Sequence, residues 1–193
     1  PVVEVRYIHD ILLQTPSLAL EAVRHELQRI GTRLLEMVTI AMPTVLSGDL
    51  KEVKPVGELA DQITLIRGFI TNYLGQISKT AIGQVESETL LNHFSAVNNL
   101  SRIGDLIAIN LLDLGQRRIE KKLRISDQTQ KVINELRNMV FNALYNTMEA
   151  METLDVARIN NILAAGKEVE MMVKHAESHQ ANRLIAEEAE RLA

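Results

Sequence analysis

The sequence lacks cysteine and tryptophan and has few aromatic residues, glycines and prolines. Without cysteine the chain can form neither disulfides nor thiolate metal sites, and its composition does not indicate an oxidising or a reducing compartment. Aromatic residues make up only 3% of the chain, so a core must come from the aliphatic side chains that dominate its 46% hydrophobic content. Nine glycines and four prolines in 193 residues indicate few turns and long elements. This composition favours helices packed on helices.

The charge and the hydropathy pattern exclude further classes. The net charge is −4 and the isoelectric point about 5.8, so the basic footprint of a nucleic-acid-binding protein is absent. No apolar run reaches the roughly 20 residues that a membrane-spanning helix needs, and no signal peptide is recognisable. The printed sequence begins at Pro1 and not at methionine, which leaves room for an upstream segment.

Apolar residues with helical spacing fill five long stretches. Thr15 is predicted to cap a first helix that reaches Leu46, with Pro16 at its first position, where a missing N–H costs nothing. Asp49 is predicted to cap a second helix that ends near Ile77. The first helix has a seam, a line of apolar residues at alternating steps of three and four: Leu20, Val23, Leu27, Ile30, Leu34, Met37 and Ala41.

Three more helices are predicted in the same way. Ser87 is expected to cap the third, which reaches about Leu123, and Asp127 the fourth, which ends near Glu152. Asp155 is expected to cap a fifth that runs toward the end of the sequence. Small residues in the middle of the third helix should let a neighbour come close; its seam is Leu90, Phe94, Val97, Ser101, Gly104, Ala108 and Leu111.

The apolar pattern recurs halfway along the chain, since Asp155 stands 106 residues after Asp49. At this offset apolar residues fall on apolar residues: Val38 on Leu144, Met42 on Met148, Val45 on Met151, Val56 on Ile162 and Ile63 on Val169. A duplicated helical unit explains this match. We therefore expect a lead-in over residues 1–14, a three-helix unit over 15–124 and an incomplete second unit over 125–193. The predicted fold is all-α, an antiparallel three-helix bundle plus a helical hairpin.

Three short motifs carry a family resemblance. Arg102-Ile103-Gly104-Asp105 in the third helix is similar to a Leu-Glu-Arg-Ile-Gly-Asp stretch of PhoU-family proteins. The segment 12–21, Leu-Leu-Gln-Thr-Pro-Ser-Leu-Ala-Leu-Glu, resembles the opening of the PhoU-like tail of bacterial sodium/phosphate cotransporters. His179 followed by Asn182-Arg183-Leu184 resembles the end of the fifth helix in that group.

The resemblance implies two three-helix bundles related by a pseudo-twofold axis, and regulation of phosphate uptake, not catalysis. Many members of the family bind metal clusters through Glu/Asp-x-x-x-Asp pairs. The matching positions here are Ala60 and Thr64, Ser101 and Asp105, and Gly166 and Glu170. Only Asp105 and Glu170 keep a carboxylate. These two are the candidate metal ligands, while no multinuclear cluster and no cofactor are expected.

Two polar arrangements have alternative interpretations. Asn98, Ser101 and Asp105 form a polar stripe that is either a weak cation site or a hydrogen-bonded patch in which Arg102 pairs with Asp105. His175 and His179, four residues apart, could share a zinc ion. However, Ala176 occupies the place where the zinc-protease motif requires glutamate.

A basic cluster closes the third helix: Arg117, Arg118, Lys121, Lys122 and Arg124. Cations there complement the negative end of a helix. The alternative is an interaction surface for an anionic membrane.

No catalytic constellation accompanies these features, so we predict that the chain is not an enzyme. The resemblance implies a cytoplasmic, PhoU-like regulatory domain of a sodium-dependent phosphate transporter, at the cytoplasmic face of the inner membrane. Its expected partners are the membrane-embedded portion of the same polypeptide and further copies of the chain, with no nucleic acid. The alternatives are a stand-alone metal-binding regulator of phosphate uptake and a generic helical interaction module.

Overall fold

The computed structural model describes residues 4–47, 53–153 and 156–192, except for the side chains of residues 44, 47, 156 and 179–192. Its elements are a 3-10 turn (Asp10–Gln14), α1 (Pro16–Ser47), α2 (Val53–Ile77), α3 (Gln84–Asp105), a π-helical stretch (Leu106–Leu111), α4 (Leu112–Glu120), α5 (Asp127–Thr153) and α6 (Val156–Leu192). No strand occurs in these ranges, and the all-α prediction is confirmed. The elements from α3 through α4 form one continuous helix, called here the third rod.

The chain divides after Arg124 into two compact units. In the first unit α1, α2 and the third rod each pack against the other two. Helix α2 runs antiparallel to α1, because Gln62 bonds to Arg33 whereas Tyr73, further along α2, bonds to His9, before α1 begins. It also runs antiparallel to the third rod, because Arg67 bonds to Asn98 whereas the earlier Ile63 lies against the later Gly104. The second unit is a hairpin of α5 and α6.

The predicted seam of α1 forms the centre of the first unit. All seven of its residues are buried, and Leu27, Ile30 and Leu34 have no exposed surface. The predicted start of α1 is also confirmed, since the helix begins at Pro16 and continues through Ser47, where the described range stops. The whole seam is buried because α1 packs against two other helices, α2 and the third rod, which together exclude water from it.

Small residues bring the third rod close to the other two helices. A Cβ on Gly104 would lie 3.4 Å from Ile63 Cδ1 and 3.5 Å from Leu34 Cδ2. A Cβ on Gly115 would lie 3.0 Å from Val45 Cγ2, which is tighter than ordinary contact. Glycine at both positions therefore fixes how near the rod can approach.

The third rod departs from its predicted course at two points. It begins at Gln84, after Gly83, and not at a cap formed by Ser87. Its predicted seam fails at Phe94, Ala108 and Leu111, which are only half-buried. The π-helical stretch adds a residue to one turn, so the buried line passes from Ile107 to Leu112, a step of five.

The hairpin has a much smaller interior. Its α5 is capped by Ser126 and not by Asp127, because Ser126 Oγ accepts a hydrogen bond from Thr129 N at 3.2 Å. Only Leu144, Met148 and Ala150 are buried hydrophobic residues among those described in this unit. The two hairpin helices thus cover one narrow line of contact and leave much apolar surface in water.

The duplication predicted from the sequence stays a prediction. The described part of α1 reaches Ser47 and that of α5 reaches Thr153, and the residues that follow each of them lie outside the described ranges. The proposed caps Asp49 and Asp155 lie outside the described residues.

Candidate functional site

The two candidate metal ligands fall in different units. Asp105 is exposed at the end of α3, and Glu170 is exposed on α6, where its carboxylate lies 2.7 Å from Lys174 Nζ. Within the described residues, no group of three or more His, Asp or Glu side chains is placed to hold a metal ion. The assignment of these two residues stays a prediction, and each would need further ligands to form a site.

The predicted histidine pair is only partly described. His175 is exposed on α6, whereas the side chain of His179 lies outside the described residues. The zinc alternative therefore stays a prediction that rests on spacing alone.

The predicted polar stripe of the third rod is divided between two environments. Ser101 is buried in the bundle, whereas Asn98 and Asp105 are exposed. Asn98 accepts a long hydrogen bond from Arg67, at 3.4 Å. In the part of the chain that the structure describes, no ion pair joins Asp105 to Arg102, so the expected pairing is wrong. These residues do not form one site.

Ser101 is the notable member of that group because its hydroxyl oxygen is buried without a hydrogen-bond partner among the protein atoms. Its position is one turn before Gly104, at the close approach between helices. A serine side chain is small enough for this contact. We assign it a packing role.

A buried carboxylate that the sequence did not reveal holds the lead-in segment against α1. Glu26 has no exposed surface, and its Oε1 accepts hydrogen bonds from the backbone N–H groups of Arg6 (2.6 Å) and Tyr7 (2.8 Å). Its Oε2 accepts from Arg29 Nη1 at 2.6 Å, and the same Nη1 donates to the carbonyl of Glu4 at 3.1 Å. Such charge-assisted bonds are the strong ones in proteins.

Two tyrosines add to this attachment. We call the set of Glu26, Arg29 and Tyr73, which holds residues 4–9, the lead-in clamp. The hydroxyl of Tyr73 on α2 donates to the carbonyl of His9 at 2.8 Å. Burial, with a smaller contribution from Asp10, raises the pKa of Tyr73. The ring of Tyr7 lies 4.9 Å from that of His25, centroid to centroid. The segment before α1 is therefore fixed to two helices.

Sequence reasoning missed the clamp for a physical reason. Two of the hydrogen-bond donors to Glu26 are backbone N–H groups, which every residue except proline carries, so the sequence does not mark them. The only available signal was a glutamate directly before Leu27 in the seam of α1, followed three residues later by Arg29. That spacing is equally typical of a surface ion pair.

A second polar group lies at the α1–α3 contact. His93 is half-buried, and its Nε2 is 3.1 Å from the carbonyl oxygen of Leu20. Desolvation by burial lowers the pKa of His93, although this hydrogen bond and Glu21 oppose the shift. The pKa of Glu21 is lowered chiefly by its hydrogen bond with Arg24. Burial at this contact therefore disfavours the protonated imidazole.

The basic cluster at the end of the third rod divides into two kinds of residue. Arg118 is committed inside the fold, because its Nη2 donates to the carbonyl of Leu46 (3.1 Å) and its Nη1 to that of Leu123 (3.4 Å). Arg117 is exposed and pairs with Asp113 at 2.8 Å. The remaining three residues, Lys121, Lys122 and Arg124, are exposed.

Comparison with known proteins gives one distant relationship. The sequence is 24% identical over 144 residues to a protein of Salmonella typhimurium (strain LT2), provisionally described as the inorganic phosphate export protein YjbB. The match covers 75% of this chain but 26% of that protein, so the chain spans about a quarter of the relative's length. No protein-family model matches the sequence, and no solved structure matches it. None of the described helices is long and apolar enough to cross a membrane.

Proposed function

We propose that this chain is a PhoU-like regulatory domain of a phosphate transporter, at the cytoplasmic face of the inner membrane. The observation that carries the proposal is the similarity to YjbB, whose description concerns phosphate export. The all-α bundle agrees with the fold that the PhoU resemblance implies. Dependence on sodium belongs to the same proposal and rests on the cotransporter-like segment 12–21 alone.

The mechanism we propose is mechanical coupling through the lead-in clamp. The segment that enters the bundle is fixed to α1 through Glu26 and to α2 through Tyr73. A displacement of that segment would therefore move two helices of the bundle and not only the first turn of α1. The partner on the other side of the clamp is, in this proposal, the membrane-embedded portion of the same polypeptide.

Self-association is the second contact in the proposal. The hairpin exposes apolar side chains on both of its helices, and apolar patches of more than a few hundred Å² are uncommon on monomers. The exposed residues are Val140, Tyr145, Ile159, Leu163, Met171 and Val173. A twofold dimer through residues 127–190 is the simplest assembly that covers them.

The test is a phosphate flux measurement on the full open reading frame that contains this chain. Labelled phosphate uptake and efflux are followed in cells with and without a sodium gradient, for the whole protein and for a deletion of residues 16–192. We expect the deletion to change the rate or its response to phosphate while transport continues. An unchanged flux would refute the regulatory role, and an open reading frame without apolar spans would refute the transporter.

Point variants address the coupling itself. Tyr73→Phe removes the hydrogen bond to His9 but keeps the ring, and Glu26→Ala removes the clamp more completely. Both should move the flux toward that of the deletion. Glu36→Ala, at an exposed position of the same helix, is the matched control and should not.

A further inference from the structure

The third rod ends in a turn whose backbone is normally built on glycine. Leu123 N donates to Arg118 O and Lys122 N to Ile119 O, both at 3.0 Å, which is the hydrogen-bond pattern of a Schellman motif. Lys122 has a φ of 53°, in the left-handed region that this motif requires. Among the described non-glycine residues it alone has a positive φ. Lysine at this position is strained where glycine would not be.

The turn also leaves a leucine in water. In a Schellman motif the residue at the position of Leu123 commonly packs against the residue at the position of Arg118. Here Arg118 is committed to the carbonyls of Leu46 and Leu123, and 57% of the surface of Leu123 is exposed. On either side stand the exposed cations Lys121, Lys122 and Arg124. The turn Lys121–Arg124, the tip of the third rod, therefore combines three positive charges with one apolar side chain.

We propose that the turn Lys121–Arg124 docks on an anionic lipid surface, with Leu123 inserted among the headgroups and the three cations against lipid phosphates. Charge complementarity selects this occupant, because the turn is locally cationic in a chain of net charge −4. Stabilisation of the helix end by cations accounts for the charges. It accounts neither for lysine in a glycine conformation nor for the exposed leucine. The docking stands on this surface alone and does not require a role in phosphate transport.

The absence of tryptophan from the chain makes a direct test simple. Leu123→Trp places a single tryptophan at the tip, and Leu91→Trp places one at another exposed leucine of the same rod. Fluorescence is recorded with vesicles of phosphatidylcholine and phosphatidylglycerol in equal parts, and with phosphatidylcholine alone, at millimolar lipid. We expect a blue shift only for the tryptophan at position 123, only with the anionic vesicles, and reversed by high salt.

Charge variants separate docking from folding. Lys122→Gln should lower the partition constant about fivefold, the usual contribution of one basic residue at an anionic surface. Lys79→Gln, in the exposed turn after α2, is the matched control and should leave it unchanged. Lys122→Gly should weaken partitioning by the same about fivefold while raising the melting temperature, because it relieves the backbone strain. A purely structural role for the turn predicts no loss of partitioning with that variant.

Three results would overturn the proposal. They are no anionic-specific shift of the tryptophan at position 123, an equal shift of the tryptophan at position 91, and an equal loss of partitioning with Lys79→Gln and Lys122→Gln. If the chain binds the vesicles but the tryptophan at position 123 shows no shift, the proposal is also overturned, because the contact then lies elsewhere on the chain.

Discussion

The two units carry one helical pattern with two different outcomes. At an offset of 106 residues Leu34 corresponds to Val140, yet Leu34 is fully buried and Val140 is 41% exposed. Likewise Ile63 is buried, whereas its counterpart Val169 is only half-buried. The first unit has the third rod to cover these faces, and the hairpin has no third helix among the described residues. An apolar seam therefore specifies a helix face, but burial of that face needs a second neighbour.

The largest expected effect concerns a position at which the two units differ. Glu26 corresponds to Val132 in the second unit, so the buried carboxylate is not part of the shared pattern. Glu26→Ala leaves Arg29 and two backbone N–H groups without their partner and should cost about 3–5 kcal/mol. Urea denaturation measures this loss. Glu36→Ala is the control and should stay within about 0.5 kcal/mol of the wild type.

A protease gives a local readout of the same substitution. The bond after Arg6 is a trypsin site whose Tyr7 N–H is bound to Glu26. Limited trypsin digestion should cut there faster in Glu26→Ala than in Glu36→Ala. Equal cleavage rates would show that the clamp does not hold the lead-in.

Matched core truncations compare the two units directly. Ile30→Ala should cost about 2–5 kcal/mol, because Ile30 has no exposed surface and its loss leaves a cavity. Its counterpart Leu136 is only half-buried, so Leu136→Ala should cost less unfolding free energy. Equal losses of unfolding free energy would contradict the difference in burial.

Two glycine substitutions should differ in sign. Gly115→Ala brings a methyl group to 3.0 Å from Val45 Cγ2, and overpacking of about 1–3 kcal/mol should exceed the gain in helix propensity. Gly166→Ala meets nothing within 4 Å and should stabilise α6 by about 0.5–1 kcal/mol. Thermal unfolding measures both. Stabilisation by both substitutions would show that the third rod is not held tightly against α1.

The smallest effect is a dependence on pH located in the first unit. Burial lowers the pKa of His93, so the unfolded chain binds more protons than the folded chain between the two pKa values. The contribution of neutral His93 is complete above about pH 6.5 and is lost as the pH falls below it. His93→Gln should flatten this part of the stability profile. If the slope of unfolding free energy against pH between pH 7.5 and pH 5.5 is the same in His93→Gln and the wild type, the pH dependence comes from other groups.

The fold was readable from the sequence because apolar spacing and helix ends are local signals. The seam of α1, its start at Pro16 and, to within one residue, the start of α5 follow from such signals. The π-helical stretch Leu106–Leu111 was not predicted, because no residue type marks such a stretch in a sequence. It changes which face of the third rod is buried, and this depends on the packing of the rod against its neighbours. The lead-in clamp was missed because its partners are backbone groups. Of the basic cluster, Arg118 could not be separated from its neighbours until its hydrogen bonds were known.

Amide hydrogen exchange tests the comparison of the two units most directly. Exchange is followed by mass spectrometry for peptides of α1, α2, α5 and α6, at low and at high micromolar protein. An incomplete hairpin predicts that α5 and α6 exchange much faster than α1 and α2 in dilute solution. Their protection should rise with concentration while that of α1 and α2 stays constant. A hairpin as protected as the bundle in dilute solution, with no dependence on concentration, would contradict the account.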